Sequence, residues 1–132
     1  MSKTIYWAVK LDEPSRAKIL NFVRPVHNKV YAEHQTIIFG PSEKDNLKLN
    51  SILGKKIKLR VIGEAHDQKG QAVVVEGFDR LDGGIEHVTI SCTKETGPIY
   101  SNELLTSGYT KIDPFELTGV VAKYTDEGWK CK

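Results

Sequence analysis

One short stretch of sequence occurs twice in this chain and limits the folds it can adopt more than any other feature. Residues 33–41 read EHQTIIFGP and residues 86–98 read EHVTISCTKETGP, so Glu-His-x-Thr-Ile is written twice. Each copy is followed by a Gly-Pro pair, a predicted helical piece and a predicted strand. This layout indicates a diverged internal duplication. Two similar halves predict a pseudo-twofold α+β domain with a cleft between them.

The remaining sequence is compatible with a single domain over residues 1–132. A chain of 132 residues is near the common size of one domain, and it can bury a core without disulfides or a structural metal. No linker, charge block or low-complexity segment interrupts it. We therefore treat the duplication as internal to one domain.

Charge and apolar content argue against several classes of protein. The formal net charge of +2 is too small to indicate a chain that coats nucleic acid or binds a membrane surface. No apolar run approaches the roughly 20 residues that cross a bilayer, and the N-terminus lacks a signal-peptide core. Cys92 and Cys131 fit free thiols in a reducing compartment. We expect a cytoplasmic monomer with no membrane association and no stable protein partner.

Local patterns predict the order of the elements. Strands are predicted at 4–11, 29–39, 55–65, 71–78, 85–92 and 115–124. A helix is predicted after the first strand, with Pro14 in its first turn. A second helix is predicted after Ser42, which with Asp45 forms a capping-box pattern. A brief helical turn is predicted near residues 100–106.

Alternation along a strand brings the histidine and the threonine of each copy together. Residues two apart share a face, so His34 lies beside Thr36 and His87 lies beside Thr89. The apolar residues of the second copy are expected to face the core, and in the first copy Phe39 is assigned to the face opposite His34. If the two polar faces meet across the cleft, they surround a space suited to one small anion.

A purely structural interpretation competes with the functional one. Thr and Ile are common in strands for packing reasons, and a single His-x-Thr carries little information. That two of the four histidines are followed by this pattern is on the order of a one-in-a-hundred coincidence. His27 and His66 lack the pattern and are expected to be surface histidines. A metal site at the paired histidines is less favoured, since threonine is not a usual ligand and no carboxylate triad accompanies them.

At these residues the chain resembles the 2H phosphoesterase superfamily, which is named for two H-x-T/S-hydrophobic motifs. The matching segments are HQTI at 34–37 and HVTI at 87–90, and the likeness covers nearly the whole chain. Members include LigT-like RNA cyclic phosphodiesterases, the cyclic phosphodiesterase domain of tRNA ligases, enzymes that cleave 2′-5′ oligoadenylate, and viral proteins that destroy cyclic-nucleotide signals. The resemblance implies a bilobal α+β fold in which two antiparallel sheets line a central cleft, with helices outside.

The resemblance also implies an activity and a set of residues. It implies a phosphodiesterase that needs neither metal nor cofactor, with His34 and His87 as catalytic acid and base and with Thr36 and Thr89 as phosphate-binding hydroxyls. Which histidine is the acid is left open. The expected substrate is a 2′-linked or 2′,3′-cyclic phosphodiester of an RNA end or a small nucleotide. The alternatives are a phosphodiesterase of cyclic dinucleotide or 2′-5′ oligoadenylate immune signals and, from another class, a non-catalytic nucleotide-binding module.

Other candidates for substrate contact lie near the motifs in sequence or on a shared strand face. Tyr6 and Lys10 share the polar face of the first strand, where Lys10 would counter phosphate charge. Lys94 and Tyr100 follow the second motif, and an aromatic side chain at the cleft rim would stack on a base. The competing interpretation is a solvated lysine or a half-buried tyrosine in each case. Trp129, close to the C-terminus, is expected to serve in peripheral packing.

Overall fold

The computed structural model describes residues 3–132, and within them it contains eight strands and three α-helices. The strands are β1 (Thr4–Leu11), β2 (Lys29–Val30), β3 (His34–Phe39), β4 (Lys56–His66), β5 (Gly70–Glu76), β6 (His87–Cys92), β7 (Thr110–Thr125) and β8 (Gly128–Lys130). The helices are α1 (Glu13–Phe22), α2 (Glu43–Asn50) and α3 (Tyr100–Leu104), and a 3₁₀ turn follows at Leu105–Ser107. No helix within residues 3–132 has the length and apolar character needed to cross a bilayer.

The strands join into one antiparallel sheet that closes on itself. Six of them follow one another in the order β1-β3-β6-β5-β4-β7, and β1 also pairs with β7 to complete a closed barrel. The short strands β2 and β8 extend this barrel along β6 and β7. The expected α+β class is confirmed. The strand pairs among the described residues belong to one closed sheet and not to two separate sheets.

Large apolar side chains from alternate strand positions fill the barrel. Buried members of this core include Trp7, Val9, Ile37, Leu59, Val61, Val73, Val88, Ile90, Leu117 and Val121. A second, smaller apolar cluster lies outside the first, where Leu104 and Leu105 pack against Ala72 and Val74. This second cluster fixes α3 and the 3₁₀ turn after it against β5, next to the strand that carries the second motif.

The helices begin where the sequence predicts. Asp12 caps α1 by accepting a hydrogen bond from the Ser15 backbone N–H at 2.9 Å, and Pro14 lies in the first turn. Ser42 and Asp45 form the expected reciprocal capping box at α2. Helix α1 packs on β7, where the Thr118 backbone N–H donates to the Ser15 hydroxyl at 2.7 Å.

The single strand predicted over residues 29–39 is wrong, because the chain breaks it into β2 and β3. Ala32 adopts a φ of 56°, a left-handed conformation that is uncommon for a residue with a Cβ and cannot continue a strand. The Ala32 backbone N–H still donates to the Thr89 carbonyl at 2.8 Å. The break redirects the chain, so that β3 can pair with β1 on one side and β6 on the other.

The assignment of Phe39 to the face opposite His34 is also wrong. A β-bulge interrupts the register between β1 and β3: Tyr6 pairs with Phe39, whereas Ala8 pairs with Thr36. The extra residue shifts the alternation by one position. Ile37 therefore remains buried in the core, and Phe39 lies on the side of Tyr6 with 68% of its surface exposed.

Candidate functional site

The two motif strands lie side by side in the sheet. β3 and β6 are antiparallel neighbours that pair at Gln35 and Val88, which are the variable middle residues of the two His-x-Thr motifs. In this antiparallel register, the positions next to Gln35 and Val88 set His34 opposite Thr89 and Thr36 opposite His87. The pairing is therefore symmetric, and a local twofold axis between Gln35 and Val88 relates the two motifs.

The histidine and threonine of both copies line one cavity of about 460 Å³, a volume within the usual range for small-molecule sites. The other lining residues come from β1, the β2–β3 connection, β3, the loop before β6, the segment before α3 and α3 itself: Tyr6, Tyr31, Glu33, Phe39, Arg80, Asp82, Pro98, Ile99 and Asn102. The four motif side chains thus converge on one cavity.

His34 lies among aromatic rings. Its ring stacks on Tyr6, with centroids 5.1 Å apart, and makes a T-shaped contact with Trp129, with centroids 5.5 Å apart. Its Nδ1 is buried and has no hydrogen-bond partner within residues 3–132. Burial, followed by the charges of His87 and Lys10, lowers the pKa of His34 to about 4. The ring is therefore neutral near pH 7, and no hydrogen bond to the described protein atoms fixes its tautomer.

His87 is held by its own backbone segment. Its Nδ1 is 2.8 Å from the carbonyl oxygen of Ile85, which can only accept, so Nδ1 carries the proton. In the neutral ring Nε2 is then the acceptor, and it is the nitrogen left for a ligand. Burial lowers the pKa of His87 below its usual value, and the hydrogen bond to Ile85 opposes this effect.

The two threonines differ in how their hydroxyls are used. Thr89 is 8% exposed, and its Oγ1 lies 2.8 Å from the Ser101 hydroxyl and 3.4 Å from the Pro98 carbonyl. Thr36 is half-buried, and its hydroxyl makes no hydrogen bond to the part of the protein that the structure describes. The Thr36 hydroxyl can therefore rotate towards a ligand without breaking an existing bond.

Aromatic side chains cluster on the side of the cavity that carries His34. Tyr6 lines the cavity, and its ring also stacks near Phe39 and Tyr124, at centroid distances of 5.9 and 5.3 Å. Burial raises the pKa of Tyr6 to about 12, with the neighbouring Tyr124 contributing next, so its hydroxyl stays protonated. Lys10 does not line the cavity; its Nζ lies 5.9 Å from the Trp129 ring centre.

Trp129 has a closer relation to the site than the expected peripheral packing. It lies on β8, a strand that the sequence patterns did not predict, and this strand pairs with the end of β7. The pairing carries Trp129 against both Tyr6 and His34. A lone tryptophan near the C-terminus gives no local signal of such a contact.

The structure does not bring Lys94 and Tyr100 to this cavity. Lys94 is exposed in the turn after β6. Tyr100 begins α3, and its hydroxyl donates to the Asp67 carboxylate at the β4–β5 turn, where its ring also lies 5.7 Å from Lys69 Nζ. The helix start therefore turns Tyr100 away from the motif residues.

The two histidines without the motif lie elsewhere, as the sequence predicts. His66 is exposed and pairs with Glu64 at 2.8 Å. His27 is half-buried, not fully on the surface, and its Nε2 lies 2.8 Å from the Asp67 carbonyl. Neither lines the cavity of the paired motifs.

Sequence reasoning missed Arg80, Asp82 and Asn102, which line the cavity beside His87. Arg80 and Asp82 lie in the loop between β5 and β6, and Asn102 lies on α3. Only the Asp-Gly-Gly turn at 82–84 marks this loop in the sequence. The turn gives no indication of which side chains it directs into the cavity.

Among residues 3–132, no group of three or more His, Cys, Asp or Glu side chains is arranged to hold a metal ion. A comparison with models of protein families gave no match, and a search of curated proteins gave no significant match.

Proposed function

We propose that the protein is a phosphodiesterase of the 2H type that uses no metal and acts on 2′-linked or 2′,3′-cyclic phosphodiesters of RNA ends or small nucleotides. The observation that carries this proposal is the convergence of His34, Thr36, His87 and Thr89 on one cavity. The symmetric pairing of the two motif strands supports it. The proposal includes the 2H fold, for which the local twofold axis is the main support.

The chemistry needs two proton carriers on opposite sides of one phosphorus. The attacking oxygen loses a proton and the leaving oxygen gains one, and imidazole can do either near neutral pH. Each such transfer contributes roughly 10²–10⁴-fold to the rate. The hydroxyls of Thr36 and Thr89 would donate to the non-bridging oxygens, on which negative charge increases.

The lowered histidine pKa values suggest how the acid is formed. Both rings are largely neutral in the free protein near pH 7, whereas acid catalysis needs one imidazolium. A bound phosphodiester anion favours the charged form of a nearby imidazole. Substrate binding would thus favour the imidazolium that acid catalysis needs. The rate should follow a bell-shaped pH profile whose two pKa values belong to the pair of histidines.

The apolar parts of the cavity fit a nucleoside. Tyr6 and Phe39 present aromatic surface on the His34 side, and an aromatic face binds a base by stacking. Two exposed apolar side chains lie at the rim, Phe39 and Ile99, with exposed fractions of 68% and 82%. Two such contacts favour, as a second candidate, a ligand with two bases such as a cyclic dinucleotide or a 2′-5′ oligoadenylate.

Turnover in the presence of EDTA tests the proposal. The purified protein is incubated with 2′,3′-cyclic nucleotides, cyclic dinucleotides and 2′-5′ oligoadenylates, and products are identified by chromatography and mass spectrometry. We expect at least one substrate class to be cleaved, and cleavage to be lost in His34→Ala. Binding of these ligands without cleavage of any of them would instead support the non-catalytic nucleotide-binding module.

A further inference from the structure

The loop between β5 and β6 holds one arginine in a fixed orientation. Arg80 donates from Nε and Nη2 to the two carboxylate oxygens of Asp82, at 2.9 and 2.6 Å, and from Nη1 to Oδ1 of Asn102 at 3.1 Å. Its side chain is 7% exposed. The Arg80 backbone N–H donates to the Glu86 carboxylate at 3.0 Å. The guanidinium plane is therefore set by contacts from two separate elements.

Gly84 allows the loop to lie against this guanidinium. A Cβ at position 84 would lie 3.2 Å from both Cζ and Nε of Arg80, a separation at which neighbouring atoms must give way. The Gly84 backbone N–H also donates to Asp82 Oδ1 at 3.0 Å. The Asp-Gly-Gly turn therefore reverses the chain and also leaves room for the Arg80 guanidinium.

The hydrogen bonds within the protein leave part of the guanidinium unused. An arginine has five N–H donors, and three of these are engaged by Asp82 and Asn102. Two donors remain, one on each terminal nitrogen. Among the described residues that line the motif cavity, Arg80 is also the only Lys or Arg. Arg80 and His87 line the same cavity, and the charge of Arg80 contributes, after burial, to the lowered pKa of His87.

We propose that Arg80 binds a non-bridging phosphate oxygen of the ligand held between the two motifs. The inference rests on the proposed function for the identity of that ligand as a phosphodiester. A planar guanidinium suits phosphate oxygens geometrically. Because Asp82 and Asn102 already fix its orientation, little ordering is needed when the ligand arrives. Asp82 and Asn102 are positioning residues in this arrangement, and Arg80 is the group that contacts the phosphate.

Inorganic phosphate is the probe for the binding test, which needs no substrate. The Arg80 Nε–Hε signal is followed by ¹H–¹⁵N NMR as phosphate is added to the wild-type protein. We expect this signal to shift with the same dissociation constant as the signals of His34 and His87. An unmoved Arg80 signal, or no phosphate binding by the wild-type protein, overturns the inference.

Substitutions of Arg80 provide a second test of phosphate binding. Arg80→Lys keeps the charge and loses the planar fork, and we expect about 10-fold weaker phosphate binding; Arg80→Gln should be weaker still. Arg60→Gln is the matched control, since Arg60 pairs with Glu76 with 56% of its side chain exposed and lies outside the cavity. Equal affinities of the Arg80→Gln and Arg60→Gln proteins overturn the inference. If Arg80→Gln fails to fold, Gly84→Ala displaces the guanidinium with the arginine retained and should weaken binding in the same way.

Kinetics separate this inference from the proposed function. With a cleaved substrate, Arg80→Gln should lower kcat about 10²-fold, because the arginine meets charge that grows in the transition state. Wild-type kcat and KM in Arg80→Gln would overturn the role of Arg80 and leave the phosphodiesterase proposal standing. Phosphate binding through Arg80 without cleavage of any substrate in the panel would support the role of Arg80 and contradict the phosphodiesterase proposal.

Discussion

His34 on β3 and His87 on β6 have similar neighbours in the sequence and different neighbours in space. His34 is surrounded by aromatic rings, and its Nδ1 has no hydrogen-bond partner in residues 3–132. His87 is oriented by a hydrogen bond to the Ile85 carbonyl and lines the same cavity as Arg80. The first ring is thus positioned by stacking, which leaves both tautomers available. The second is positioned by a bond that selects one tautomer.

The strands that carry the two copies also differ in burial. Every residue of β6 is buried, and the strand pairs along most of its length with β5. β3 is only partly buried, although it too pairs along most of its length with its outer neighbour, β1. The difference teaches that a duplicated motif does not imply duplicated surroundings: a backbone carbonyl selects the tautomer of the second histidine, whereas no hydrogen bond within residues 3–132 selects that of the first. Four predictions test or sharpen this comparison.

Loss of either imidazole should have the largest effect. His34→Ala and His87→Ala should each lower turnover by at least roughly 10²-fold and up to about 10⁴-fold, because each removes one proton carrier. Steady-state rates on the substrate found in the EDTA panel measure the effect. His66→Ala, which removes an exposed histidine paired with Glu64, is the matched control. Near-full activity in either motif variant would defeat the two-histidine mechanism.

The two threonine variants should separate catalysis from stability. Thr36→Ala and Thr89→Ala should each lower kcat by about 10²–10³-fold through loss of a phosphate donor. Only Thr89→Ala should also lower the free energy of unfolding, by roughly 1–3 kcal/mol, since it leaves the buried Ser101 hydroxyl without its partner. Urea denaturation measures that difference. Thr→Ser should be mild at both positions. Equal damage from Ala and Ser would instead indicate that the methyl group matters.

Acid should destabilise the fold partly through His34. The pKa of His34 is about 4 in the folded chain and about 6.5 when unfolded, so the unfolded state binds the proton first as pH falls. Stability from this group is present above pH 6.5 and is lost as pH falls towards 4, by at most roughly 3 kcal/mol. Denaturant unfolding at several pH values should show a shallower loss in His34→Gln. His66→Gln is the control, and equal slopes in both variants would contradict the prediction.

Removal of Trp129 should have the smallest effect and should act on one copy alone. Trp129→Ala removes an aromatic contact of His34, and reduced burial should raise the pKa of His34 towards its ordinary value. His87 makes no ring contact with Trp129 and serves as an internal control in the same sample. Titration of both imidazoles by NMR measures the change. A pKa shift of similar size in both rings would show that the two environments are not independent.

Much of the fold was predictable from short stretches of sequence. The strand at 4–11, the helix capped by Asp12 and the capping box at Ser42 follow from local patterns. The errors occur where a distant partner intervenes. The break at Ala32 accompanies hydrogen bonds to β6, and the displacement of Phe39 comes from a bulge against β1. Neither leaves a mark in the residues immediately around it.

The candidate site, like the fold, was predictable only in part. The alternation of side chains determines by itself that His34 shares a face with Thr36, and His87 with Thr89, because a strand repeats every two residues whatever it pairs with. The symmetric register at Gln35 was decided by the closure of the sheet.

Tertiary structure alone also decided what surrounds each motif. Trp129 reaches His34 through the pairing of β8 with β7, and Arg80 is oriented by Asn102 on α3. These contacts join residues far apart in the chain, so no local window of sequence contains both partners. The sequence therefore determined which side chains could act together, and the tertiary structure decided their burial, tautomer and charge environment, since those depend on atoms brought close only by folding.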